Sequence, residues 1–230
     1  FTNNIKNYKN GNLLVGAVAT IGDATISDSY FVNNSGRWGG AITTSGSSLP
    51  GKKVNELSIS DSTFSKNGGL YGAGIFIQGS KFSITSCVFD SNTASGKGNM
   101  TPNDNNGAAI EVTNTDKAIT GTIYKSTFTN NKAQYGGAAW INEGTVDISN
   151  SNFINNTATV EAGAIGFEPA YTKITATVYG TNFINNTAGV DGGAIYSNGD
   201  LRISDSDFDN NKAQKADIIY SDINGLLSIN

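Results

Sequence analysis

The stretch SNFINNTATVEAGAIGF (residues 151–167) is followed by a near copy, TNFINNTAGVDGGAIYS (residues 181–197). A large aromatic, a pair of amides and a run of glycine and alanine recur in the same order. Self-similarity of this kind decides a fold before any single residue does. Aligned on the aromatic, the repeat runs through Phe1, Phe31, Phe64, Phe89, Phe128, Phe153, Phe183 and Phe208. Three positions on stands Asn4, Asn34, Asn67, Asn92, Asn131, Asn156, Asn186 or Asn211. Five positions before the aromatic, from the second copy, stand Ile26, Ile59, Ile84, Ile123, Ile148, Val178 and Ile203. Five positions after it there is only glycine or alanine, from Gly36 to Ala213.

Spacing between copies runs from 25 residues (Phe64 to Phe89) to 39 residues (Phe89 to Phe128). No copy has the 3.6-residue apolar period of a helical solenoid, and leucine-rich repeats need leucines absent here. In GIFIQ, AIEVT and AIGFE, and again in LSIS, VDIS and LRIS, apolar residues alternate with a period of two. That is the pattern of half-buried strands. About 25 residues then accommodate three short strands joined by corners, one coil of a parallel β-helix. The expected fold is therefore all-β, a parallel solenoid of about eight coils with three short strands per coil. Residues 1–230 read as a single β-helix domain, a fragment of a longer repeat protein whose flanking repeats would cover its ends.

Stacking like on like explains the residue choices. Coils about 4.8 Å apart place each Phe over the next in one buried column. Asparagine combines donor and acceptor in a short side chain, so stacked asparagines can bond the coils above and below. Small residues and Gly-Gly let the chain turn closely against its neighbour. Insertions break the regularity at residues 5–14, 43–53, 95–106 and 168–175, where a solenoid puts binding loops.

Composition narrows the functions. Of 230 residues only 15% are charged, and the net charge is −4 with no basic run, which argues against a nucleic-acid partner. No apolar run approaches 18 residues, so no direct membrane insertion of this segment by a helix is expected. Cys87 stands alone and no histidine occurs, so neither a disulfide framework nor a cysteine–histidine pair is available. Cys87 reads as a small buried apolar residue.

The paired motifs F-x-x-N and G-G-A-I resemble the chlamydial polymorphic outer-membrane protein repeat. The variant FINNTAGVDGGAIY (residues 183–196) is also similar to adhesin-like surface proteins of methanogenic archaea. The resemblance covers essentially the whole chain. It implies a right-handed β-helix, the hand that crossover connections generally take. It implies a cell-surface or extracellular, non-catalytic adhesin-like module or stalk. Its expected partners are a host or neighbouring cell surface and glycans, with no cofactor. GAVA, GAGI, GAAI, GGAA and KADI depart from G-G-A-I, but small residues persist in all but the last.

The alternative is a polysaccharide-acting lyase or glycosidase on the same scaffold. Asn114–Asp116 (NTD) matches one fragment of the polygalacturonase signature, whose Asp-Asp, flanked His and Arg-x-Lys are missing. No catalytic residue and no metal ligand is assigned. Asp205, Asp207 and Asp209 alternate but lack the glycine-rich nonapeptide of calcium-loaded β-rolls, and read as solvated carboxylates. The outward row after the glycine corner is read as Thr43, Phe76, Glu111, Trp140, Gly166, Tyr196 and Ile219. Within it Phe76, Trp140 and Tyr196, two coils apart, are the candidate sugar-stacking residues. Sequons place candidate glycosylation at Asn33, Asn99, Asn155 and Asn185.

Overall fold

A computed structural model describes residues 1–4, 16–46, 53–95, 106–113, 119–170, 173–222 and 225–230. Among these, every strand pairing is parallel, and the strands assemble into four sheets of eight, seven, five and eight members. Neighbours in each sheet come from successive coils, which defines a β-solenoid of about seven turns. The eight aligned phenylalanines bound those turns.

One wall carries the aliphatic residues. Ile59, Ile84, Ile123, Ile148, Val178 and Ile203 lie in register from coil to coil, all buried. The second wall carries the phenylalanines. Seven successive ring pairs, from Phe1–Phe31 to Phe183–Phe208, stack with centroids 4.6–5.1 Å apart and planes within 8°. Phe31 through Phe183 are fully enclosed. Each such ring contributes roughly 1.5–3 kcal/mol of burial. The third wall follows the glycine corner and turns Ile42, Ile75, Ile110, Ile165 and Ile195 into the same core.

The segment after each ladder asparagine, read from sequence as a corner, is itself a short strand in five coils, such as Thr93–Ala94 and Thr157–Glu161. It forms the five-stranded fourth sheet.

The asparagine column is continuous. Asn67 donates its backbone N–H and its Nδ2 to Asn92 Oδ1, both at 3.0 Å, and Nδ2 also reaches Phe31 O at 3.0 Å. The same pattern repeats from Asn34 through Asn186. These buried amides are thereby satisfied at both ends. A left-handed backbone angle falls on the residue before each ladder asparagine: Asn33, Asn155 and Asn185 have φ of 54°, 56° and 56°. Asn is among the few residues that tolerate that region, which accounts for the first amide of each Asn-Asn pair.

A second ladder lies two residues before each Phe. Cys87 N–H donates to Ser126 Oγ at 3.1 Å, Ser126 N–H to Ser151 Oγ at 3.2 Å, and Ser151 N–H to Thr181 Oγ1 at 3.4 Å. Each of these hydroxyls returns a bond to the carbonyl two residues earlier. Cys87 is buried, as its small size suggests, but it occupies a hydroxyl position, with Sγ 3.3 Å from Thr85 O. Burial raises its thiol pKa.

Candidate functional site

The outer face of the third wall is where the repeat stops being uniform. Register places Thr43, Phe76, Glu111, Trp140, Gly166, Tyr196 and Tyr220 in one column along the cylinder. Tyr220 therefore takes the place that sequence alignment gave to Ile219. Ile219 pairs with Ile195 and packs against the core. The KADII corner of this coil, with no Gly-Gly, had shifted the count by one residue.

Phe76, Trp140 and Tyr196 share the column at intervals of two coils, but none is an exposed plate: they are 2%, 5% and 8% exposed. Neighbouring side chains cover them. Trp38 and Tyr71 stack at 4.3 Å, and Trp38 lies tilted against Phe76 at 4.9 Å. Buried Glu111 separates this cluster from Trp140. Trp140 and Tyr196 do meet, with ring centroids 6.1 Å apart, because Gly166 lies between them. A Cβ on Gly166 would collide with the Trp140 ring, so the glycine lets the indole lie over its strand.

Two more columns flank this one. On one side, the residue before each glycine corner bridges coil to coil through Trp38, Tyr71, Asn106, Tyr135, Glu161 and Asp191. On the other side the ladder continues past the strands through Asn142, Glu168, Asn198 and Asp222, each backbone N–H bonding the preceding coil at 2.9–3.1 Å. Between them runs a groove of about 450 Å3 lined by Asn106, Tyr135, Trp140, Asn142, Glu161, Glu168 and Tyr196, with Pro169 and Ala170 at its edge. Trp140 and Tyr196 form its floor, Tyr135 leans in with its ring tilted 55° to the indole, and the two glutamates come from opposite walls of one coil. That volume falls within the range of small-ligand sites.

Beneath the floor, Ala162 adopts φ of 60° where Gly39, Gly136 and Gly192 stand in other coils. Its methyl joins Trp140 and Tyr196 in a small apolar cluster.

The groove is electrostatically uneven. Burial pushes the Glu161 carboxyl above the ordinary carboxylate range; Asp191 and Glu168 push the same way and Lys215 opposes them. Burial likewise raises Glu168, opposed by hydrogen bonds from Asn198 and Tyr196. Burial and the nearby carboxylates raise the Tyr196 phenol. Asn106 Oδ1, Asn142 Oδ1 and Glu168 Oε2 are buried without a hydrogen-bond partner. Sequence reasoning missed both flanking columns, although the residue before each Gly-Gly was there to be aligned.

The remaining candidates are distributed plainly. Asn33, Asn155 and Asn185 face solvent beside buried Asn34, Asn156 and Asn186, an arrangement open to glycosylation. Asn99 and Asn114–Asp116 lie outside the described residues. Asp205, Asp207 and Asp209 are exposed. Among the described residues, no helix is long and apolar enough to cross a membrane.

Against characterised proteins and against solved structures the chain finds no match. Residues 180–198, which span the ladder Asn186 and the corner that carries Tyr196, match the Chlamydia polymorphic membrane protein repeat. The phenylalanine, asparagine and small-residue positions of that segment recur in the other coils, so residues 180–198 are similar to the repeat of a family whose members are outer-membrane or surface-associated, and the rest of the chain follows the same pattern.

Proposed function

We propose that the chain is a non-catalytic, adhesin-like cell-surface module that attaches to cells through surface glycans. The repeat family supports the surface setting. The observation that carries the glycan reading is the Trp140–Tyr196 floor set between polar walls. The narrow exposed margins of these two rings offer apolar contact to the C–H patches of a sugar, while amides and carboxylates take its hydroxyls. The groove draws on coils from Asn106 to Tyr196, three coil spacings or about 14 Å, which suits an oligosaccharide lying along the axis. Phe76 sits in the separate Trp38–Tyr71 cluster and serves packing.

Glycan-array binding by the intact chain tests this, with Trp140→Ala as the comparison. Retained array binding by the variant, or no binding by the parent, would remove the floor from consideration.

A second reading has one specific observation behind it. Glu161 and Glu168 project from opposite walls across the floor, and glycoside hydrolysis uses two carboxyls on opposite sides of a glycosidic bond. Incubating bound glycans with the chain and looking for shortened products separates the two. Cleavage that Glu168→Gln abolishes would replace the adhesin-like reading with an enzymatic one.

A further inference from the structure

One coil beyond Tyr196, outside the groove, the chain supplies its own cation. Lys215 Nζ lies 3.2 Å from Asp191 Oδ2 and 5.7 Å from the centroid of the Tyr220 ring. An ammonium group is held there between a wall carboxylate and a floor aromatic, a favourable arrangement for a positive charge. One coil up, the equivalent wall and floor residues are Glu161 and Tyr196. The position that corresponds to Lys215 is there filled by Asp191, a second carboxylate. Glu168 faces the same space from the opposite wall. The upper place thus repeats the carboxylate and the ring of the lower one without its cation.

The unpartnered atoms limit what this groove can bind. Asn106 is 7% exposed and lines the groove, and its Oδ1 has no partner. Asn142 Oδ1 and Glu168 Oε2, on half-buried residues of the opposite wall, also lack a partner. All three are acceptors, so a ligand that satisfies them must bring donors. They come from three different coils, so the donors must be spread along the ligand. A lysine side chain brings its donors at one tip, whereas a sugar chain brings hydroxyls along its length.

We propose that this groove selects amino sugars: a glycan whose unacetylated 2-amino group sits as an ammonium between Glu161 and Glu168 over Tyr196. Its C–H edges meet the narrow exposed margins of Trp140 and Tyr196, and its hydroxyls bond Asn106 and Asn142. This rests on the glycan-binding reading and adds the charge and class of the sugar.

The test is calorimetric titration of the intact chain with three probes: a glucosamine tetrasaccharide, its fully N-acetylated counterpart, and tetralysine. The expected result is about tenfold or greater preference for the free amine over the acetamide. Glu161→Gln and Glu168→Gln, which keep side-chain size, are expected to reduce that preference to about unity. Equal affinity for the two sugars, or a preference that survives both substitutions, overturns the amino-sugar inference and leaves glycan binding intact. Tetralysine binding as tightly as the glucosamine tetramer overturns it in favour of a general cation site. Binding of neither sugar removes both readings together.

Discussion

Asn131 gives Asn156 two hydrogen bonds on a single oxygen, from its backbone N–H at 3.1 Å and from Nδ2 at 3.0 Å. The same Nδ2 donates to Phe89 O at 3.0 Å, and Asn131 Oδ1 accepts the matching pair from Asn92. Asn131→Ala leaves Asn92 N–H, Asn92 Nδ2 and Asn156 Oδ1 each short of a bond in a fully buried place. The cost is expected to be about 3–5 kcal/mol in urea denaturation. Asn131→Asp preserves the shape but faces two acceptors with a carboxylate, and is expected to cost at least as much. A loss below about 1 kcal/mol for either variant would show that the ladder is a spectator.

Phe128 lies between Phe89 and Phe153 at 4.7 and 4.6 Å, with no exposure. Phe128→Ala should destabilise by about 3–5 kcal/mol through lost burial and a cavity the rigid cylinder cannot close. Phe208, half-buried beside Phe183, is expected to lose markedly less when truncated. Equal losses at the two positions would mean that stacking, rather than enclosure, sets the energy.

Cys87 is the sulfur in a column otherwise made of hydroxyls. Cys87→Ser supplies a shorter, stronger acceptor to Ser62 N–H and restores the pattern that Ser126, Ser151 and Thr181 follow. The expected change is a gain of up to about 1 kcal/mol, read as a rise in the denaturation midpoint. Cys87→Ala, which removes the acceptor, should fall below the parent.

Ala162 and Gly163 are neighbours with opposite tolerances. Ala162→Gly releases a left-handed strain of about 1 kcal/mol and loses a buried methyl worth about the same, so stability should move by less than about 0.5 kcal/mol. Gly163→Ala would drive a Cβ into the carbonyl oxygen of Gly193 in the next coil, a clash with backbone that should cost about 2 kcal/mol or more. Thermal denaturation of the two single variants reads both.

Glu161 and Glu168 have carboxyl pKa values raised in the fold, chiefly by burial. The folded protein therefore holds their protons more tightly than the unfolded chain does. Their contribution to stability is greatest below the unfolded value of about 4.3 and is lost as pH climbs through the raised folded values. Glu161→Gln should accordingly raise the melting temperature at pH 7, with the gain shrinking toward zero near pH 4. A gain that stays constant across this range would assign the effect to shape rather than charge.

The cylinder was readable because its determinants repeat. Phe, Asn and the aliphatic residue recur at fixed offsets, and the fold stacks all three in register. The hydroxyl column was equally periodic at Ser62, Ser126, Ser151 and Thr181, but serine is common enough in this chain to hide it. The groove was only half legible. Trp140 and Tyr196 stood out as large outward residues, yet their enclosure depends on Tyr135, Glu161 and Glu168, which vary from coil to coil. Variation is what makes a site differ from its scaffold, and alignment on likeness passes over it. Tyr220 was displaced to Ile219 for a related reason: its corner lacks the glycines that anchor the count.

The residue ahead of each of these corners, with or without glycine, has a distinct status. Trp38, Tyr71, Asn106, Tyr135, Glu161, Asp191 and Lys215 contribute nothing to the amide or aromatic columns inside the cylinder. One aliphatic interior therefore accepts one indole, two phenols, an amide, two carboxylates and an amine at this single site per turn. Surface chemistry can be rewritten there letter by letter, as on a combination lock whose dials turn independently of its casing.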